Sequence, residues 1–172
     1  AKAATAYASA ISYLAMGCNL LTADGWQMAQ QIAFELHLHL ADCEFVTGDI
    51  DSAERRLAVA ASHSAKLSDL ATIVGRQMIL YTYQGRIEHA QTIAITCLQT
   101  MGVSLSAKPT DTDVEAEYRA LLDNIGGRAI ATLIDLPVMA DEYWLNAINL
   151  LTELLGPAGV LNSNLLDLVL LR

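Results

Sequence analysis

His37 and His39 are the first residues whose spacing suggests chemistry, because a His-x-His pair is a familiar metal-ligand fragment. The flanking residues have helical periodicity, however, and positions two apart on a helix point about 200° away from each other. The pair therefore cannot close on one ion, and the reading is one packed imidazole and one solvated one. Cys18, Cys43 and Cys97 are odd in number, far apart and set among apolar neighbours. They read as packing thiols in a reducing compartment, which predicts a cytoplasmic location. Ser62 and Ser64 flank His63 within one helix, with no sharp turn to present a nucleophile. His63 and His89 have no ligand partner at helical spacing.

Three further groups have structural readings. Asp111, Asp113, Glu115 and Glu117 cluster at a helix start, where the dipole favours acids, whereas a divalent cation needs a loop of oxygens closing on one point. Gly126-Gly127-Arg128 lacks the spacing of a phosphate loop and a preceding strand, so it reads as a helix-breaking turn. Arg55 and Arg56 read as the solvated face of a helix. No catalytic residue, metal-ligand set or cofactor is predicted, and the chain is expected not to be an enzyme.

Charge and hydropathy narrow the partners. A net charge of −9 over 172 residues repels phosphate backbones, which argues against nucleic acid. No apolar run reaches the ~20 residues of a membrane span, and no secretory h-region opens the sequence. The missing initiator methionine and the apolar ending Leu168-Val169-Leu170-Leu171-Arg172 predict a piece of something longer.

Few prolines and abundant Ala and Leu favour helix almost throughout. The period predicts helices over residues 3–21, 26–46, 50–66, 68–84 and 86–101. Asp24 is expected to cap the second and Ser68 the fourth, while Gly48, Gly85 and Gly102 act as C-terminal stops. Residues 103–110 form an extended connector. Further helices are expected from Asp111 to Ile125, Arg128 to Ile134, Asp141 to Leu155 and Leu161 to Leu171, with an interruption at Gly156-Pro157. Trp26 and Trp144 begin helices and read as packing residues, with partner contact as the alternative. The leucine-rich last helix is apolar on nearly all sides and needs cover, which predicts a homo-oligomer contact through the C-terminal helices.

An internal repeat sets the architecture. Gly48-Asp-Ile-Asp-Ser-Ala53 aligns with Gly85-Arg-Ile-Glu-His-Ala90 at a spacing of 37 residues. Downstream, Ala53, Leu57 and Ala60 match Ala90, Ala94 and Cys97, and Ala10, Leu14 and Gly17 follow the same rule. Small residues at that spacing let paired helices approach closely. These are features of tetratricopeptide-type repeats, whose period is about 34 residues. The predicted fold is all-α, with stacked antiparallel helix pairs in a tetratricopeptide-like right-handed α-α superhelix. It is one helical-repeat domain over 1–172, with the clearest repeats in 1–102 and irregular helices in 111–172. Such a stack offers a concave face, and Arg76, Gln77, Tyr81 and Tyr83 are its candidate binding residues.

The residues Ala6-Tyr-Ala-Ser-Ala-Ile-Ser-Tyr-Leu-Ala-Met-Gly17, then Leu20-Leu21 and Trp26, resemble the start of a helical region in large bacterial signalling proteins. The Gly48-Asp49 segment, Gly102-Val-Ser-Leu105 with Pro109, and Leu136-Pro137-Val-Met139 with Asp141 match that region in order. Those proteins carry a serine/threonine kinase-like domain and an AAA-type ATPase before the helices, and a GAF domain and histidine kinase after them. The resemblance implies a non-catalytic scaffold coupling ATPase and sensor/output modules. Its partners would be other domains of the same chain, and protein or peptide ligands. The alternative is a ligand- or peptide-sensing repeat domain.

Overall fold

A computed structural model describes residues 2–21 and 25–172. The expected Asp24 cap lies outside the described residues. These residues are helical almost throughout: α1 (Lys2–Leu20), α2 (Gly25–Met28), α3 (Gln30–Val46), α4 (Ile50–His63), α5 (Leu67–Tyr83), α6 (Ile87–Thr100), α7 (Asp111–Ile125), a 3₁₀ turn (Ile130–Asp135), α8 (Glu142–Leu161) and α9 (Ser163–Leu171). The chain divides into two compact units, Ala1–Leu80 and Tyr81–Arg172.

In the first unit α3 packs on both α1 and α4. The small residues of the repeat sit where the sequence puts them, with Ala53, Leu57 and Ala60 all buried on α4. At the α1–α3 crossing, a Cβ on Gly17 would lie 3.2 Å from Leu36 Cδ2, so glycine permits the close approach. The helix expected over 26–46 is broken at Ala29, whose backbone leaves the helical region (φ −138°, ψ 44°). The short α2 carries Trp26 against α4, where its ring stacks on His63 at 4.3 Å.

The repeat is clearest in its turns. Gly48 has φ +88°, its N–H donates to the Phe45 carbonyl at 3.0 Å, and the Asp49 N–H reaches back to Glu44 at 2.9 Å. Gly85 and Gly102 repeat the turn, with Arg86 N–H to Tyr81 at 2.8 Å and Val103 N–H to Leu98 at 2.9 Å. This is the Schellman closure, in which a left-handed residue lets two amides satisfy orphan carbonyls. Asp49 then caps α4 by accepting from Ser52 N–H at 3.2 Å. No atom lies within 4 Å of a Cβ built on Gly48, so Gly48→Ala carries only the backbone cost. We expect a loss of about 1 kcal/mol, read by urea unfolding; no loss would mean that the turn relaxes.

In the second unit α8 packs on α6 and α9, and α9 also packs on α7. The segment 103–110 runs as an extended strap with Val103, Leu105 and Pro109 buried. It is tied down by Gln91 Nε2 donating to the Ala107 carbonyl at 3.0 Å. Thr110 and Asp113 form a reciprocal capping box at the start of α7. Hydrogen bonds from Thr110 hold the Asp113 carboxyl below the usual carboxylate value.

Three expectations need correction. Ser68 does not cap α5, because the helix already begins at Leu67. Residues 128–134 form no α-helix; a 3₁₀ turn occupies 130–135. Gly156-Pro157 does not interrupt α8, which continues to Leu161. Pro157 cannot donate to the Glu153 carbonyl, but Glu153 is exposed, so water can serve that carbonyl while the proline ring is buried. Asp141 caps α8 as the sequence predicts, accepting from Tyr143 N–H at 2.9 Å. Leu165, Leu168 and Val169 of the leucine-rich α9 are buried, and Leu170 is left 64% exposed.

Candidate functional site

The first unit contains an apolar groove of about 230 Å³. Helix α3 contributes Ala41, Asp42, Phe45 and Val46; α4 contributes Ala53 and Leu57; α5 contributes Arg76, Ile79 and Leu80. The buried Ala41 and Ala53 side chains are small, and they leave room that larger side chains would fill. Its polar edge is a forked ion pair, Arg76 Nε to Asp42 Oδ1 at 2.9 Å and Nη2 to Oδ2 at 3.2 Å. The pair fixes the guanidinium plane over an apolar floor, while Val46 and Ile79 remain exposed at the mouth. Chemically the arrangement can receive an apolar side chain and orient a polar neighbour; it holds no nucleophile.

Of the four residues singled out from the sequence, Arg76 lines this groove. Gln77 is half-buried on the next position of α5. Tyr81 is buried, with the Arg86 guanidinium 4.2 Å above its ring and the His89 ring edge-on at 4.5 Å, so it packs within the second unit. Tyr83 is 73% exposed.

A second feature of the first unit is not legible from the sequence. Glu44 is buried on α3, and Arg56 of α4 reaches it, Nε to Oε1 at 3.4 Å, leaving Glu44 Oε2 without a hydrogen-bond partner. Arg55 keeps to the solvated face as expected, bonding Ser52, but Arg56 turns inward. Burial raises the Glu44 pKa above the usual carboxylate value, against the opposing pull of Arg56. The one sequence signal is Glu44 itself, an acid at a position where the repeat template does not put one.

His37 is buried two turns before Glu44 on the same helix and His39 is exposed, the one-packed, one-solvated arrangement read from the sequence. The Trp26 ring lies 5.2 Å from His37, and His37 Nδ1 has no hydrogen-bond partner. Burial, then the charges of Arg56 and His63, lower the His37 pKa below 6.5. The unfolded chain thus takes up this proton first, so stability is full above pH ~6.5 and declines as pH falls below it. Glu44 acts in the opposite sense: its raised folded value means that protonation returns stability as pH falls toward 4.5. His37→Phe should therefore lose less stability than the parent between pH 7.5 and pH 5.5. Equal losses in urea titrations at the two pH values would refute the assignment.

Burial raises the pKa of Cys18, Cys43 and Cys97, which keeps all three as thiols at neutral pH. Among the described residues no three His, Cys, Asp or Glu side chains are placed to hold a metal ion, and no helix is long and apolar enough to cross a membrane.

No protein-family model matches the chain, and no solved structure matches it. The chain is similar to the hybrid signal transduction histidine kinase G of Dictyostelium discoideum, at 22% identity over 144 residues. The alignment covers 78% of this chain and 4% of that protein, so the chain spans a small part of the relative's length. What the fold and the relative define together is an all-helical segment similar to part of a signal-transduction histidine kinase.

Proposed function

We propose that this chain is a non-catalytic helical-repeat scaffold, a tetratricopeptide-like right-handed superhelix that couples ATPase and sensor/output modules within a signalling kinase. The supporting observation is the α3–α4–α5 groove, an apolar slot with an oriented ion pair, built by the small residues of the repeat and lacking a reacting group. The similarity to a histidine kinase of Dictyostelium discoideum supports a signalling role. The bacterial setting rests on the motif resemblance alone. In this reading the partners are other domains of the same chain, the location is cytoplasmic, and the chemistry belongs to the neighbouring modules.

The test is made in the intact kinase. Ile79→Glu at the mouth of the groove is expected to uncouple autophosphorylation from its input while the separately expressed kinase module keeps its rate. Unchanged coupling with a folded variant would remove this reading. The second reading, a peptide-sensing domain, is favoured by the size of the same groove, which suits one apolar side chain. It predicts that short peptides bearing a leucine or phenylalanine raise the melting temperature of the chain, and that Ile79→Glu abolishes the rise.

A further inference from the structure

The second unit carries a surface separate from that groove. Helix α7 spans fifteen residues and none of them is buried. It is nonetheless amphipathic: Val114, Tyr118, Leu121, Leu122 and Ile125 share one side, with Tyr118 50% and Leu122 47% exposed. Beside it runs α9, tied at its start by Asn164 Nδ2 donating to Asp111 Oδ1 at 2.7 Å and to the Pro109 carbonyl at 3.3 Å. At the far end Arg172 pairs with Glu117 at 3.0 Å. Between these clasps the helices leave a groove of about 500 Å³. Val114, Tyr118, Leu170 and Leu171 give it apolar walls, and Asp111, Glu115 and Asp167 line it with carboxylates.

The charges decide the occupant. Arg119 offsets Glu115, but Asp111 is bonded only to a neutral amide, and Asp167 has no hydrogen bond or ion pair among the described residues. Two uncompensated anions thus flank an exposed leucine in a chain of net charge −9. A second copy is a poor match, because an isologous contact sets the same carboxylate-lined surface against itself, anion facing anion. A cationic partner with one apolar stripe satisfies both features. We propose that the α7–α9 groove docks a basic amphipathic helix of a partner segment, its leucine-type residues against Tyr118 and Leu170 and its lysines or arginines against Asp111 and Asp167. A helix matching α7 in length would run about 22 Å, or roughly 15 residues.

The experiment uses a fluorescein-labelled 15-residue peptide of leucine and lysine, with leucines at helical spacing. A scrambled peptide of the same composition and a twin with glutamate for lysine serve as controls. Fluorescence anisotropy with the 172-residue chain should show binding of the amphipathic peptide alone. Leu170→Glu and Asp167→Lys should each weaken it at least about tenfold. Both positions are exposed, so circular dichroism melts should match the parent. Equal binding of the scrambled peptide would reduce the attraction to net charge and overturn the proposal, as would unaltered binding by both variants. Sedimentation showing a dimer that Leu170→Glu dissolves, without peptide binding by the parent, would give the groove to a second copy and also overturn it.

Discussion

Leu154→Ala is expected to destabilise the protein by about 3 kcal/mol, more than any turn or surface substitution should. Leu154 is fully buried on α8, the helix that packs on α6 and carries α9. Truncation removes three methylene-sized groups from a site that neighbouring helices cannot collapse into, so a cavity cost adds to the transfer cost. For a chain of this length the loss corresponds to a drop of about 9 °C in melting temperature. Leu154→Met keeps the volume and should cost less than about 1.5 kcal/mol. Because α9 leans on α8, Leu154→Ala should also weaken peptide binding at the α7–α9 groove. A loss below about 1 kcal/mol by calorimetry would mean that α8 is not a closed layer of the core.

The second large effect is electrostatic. Arg56→Ala leaves the Glu44 carboxylate buried without its cation, and we expect a loss of about 2 kcal/mol at pH 7. Fully buried pairs lose more on truncation of one partner, but the Arg56 side chain is 35% exposed and water screens part of the interaction. The sign with pH follows from the raised Glu44 pKa. As pH falls, the folded variant protonates Glu44 and the charge that lacks a partner disappears. The difference between Arg56→Ala and the parent should therefore shrink toward pH 4.5. Glu44→Leu removes the buried charge and should cost less than about 1 kcal/mol, because a half-exposed arginine returns to water cheaply. If Glu44→Leu proved as damaging as Arg56→Ala, the desolvation account would fail.

Residues whose structure is decided within a few positions are readable in advance. Gly48 and Gly85 mark their turns because only a left-handed residue closes that geometry, and Asp141 caps α8 through its own neighbours. His37 and His39 separate as helical spacing requires. What the sequence does not yield depends on partners brought in from another helix or on how a local rule is outvoted. Arg56 looks like its exposed neighbour Arg55 until α3 brings Glu44 beside it, twelve positions away. Tyr81 reads as a concave-face aromatic until Arg86 and His89 cover its ring. Pro157 reads as a stop because a local rule says so, yet packing of its ring and an exposed Glu153 outweigh one missing hydrogen bond. Thr110 carries a legible signal that the extended connector obscures, since Thr-x-x-Asp is a capping signature. The groove at Arg76 lies between these cases, since the small residues announce a gap but not which helix faces border it.

The turns at Gly48, Gly85 and Gly102 have a kinetic consequence. Each is sealed by an amide and a carbonyl only five residues apart, so closing it costs little loop entropy. Where such a turn joins two packed helices, as Gly48 joins α3 and α4, they meet without a long search, and chains rich in such local pairings fold on the microsecond-to-millisecond scale. Refolding from urea should therefore be rapid, with the α3–α4 hairpin as a unit of growth. A mutation at Gly48 would slow closure of the α3–α4 hairpin that it seals.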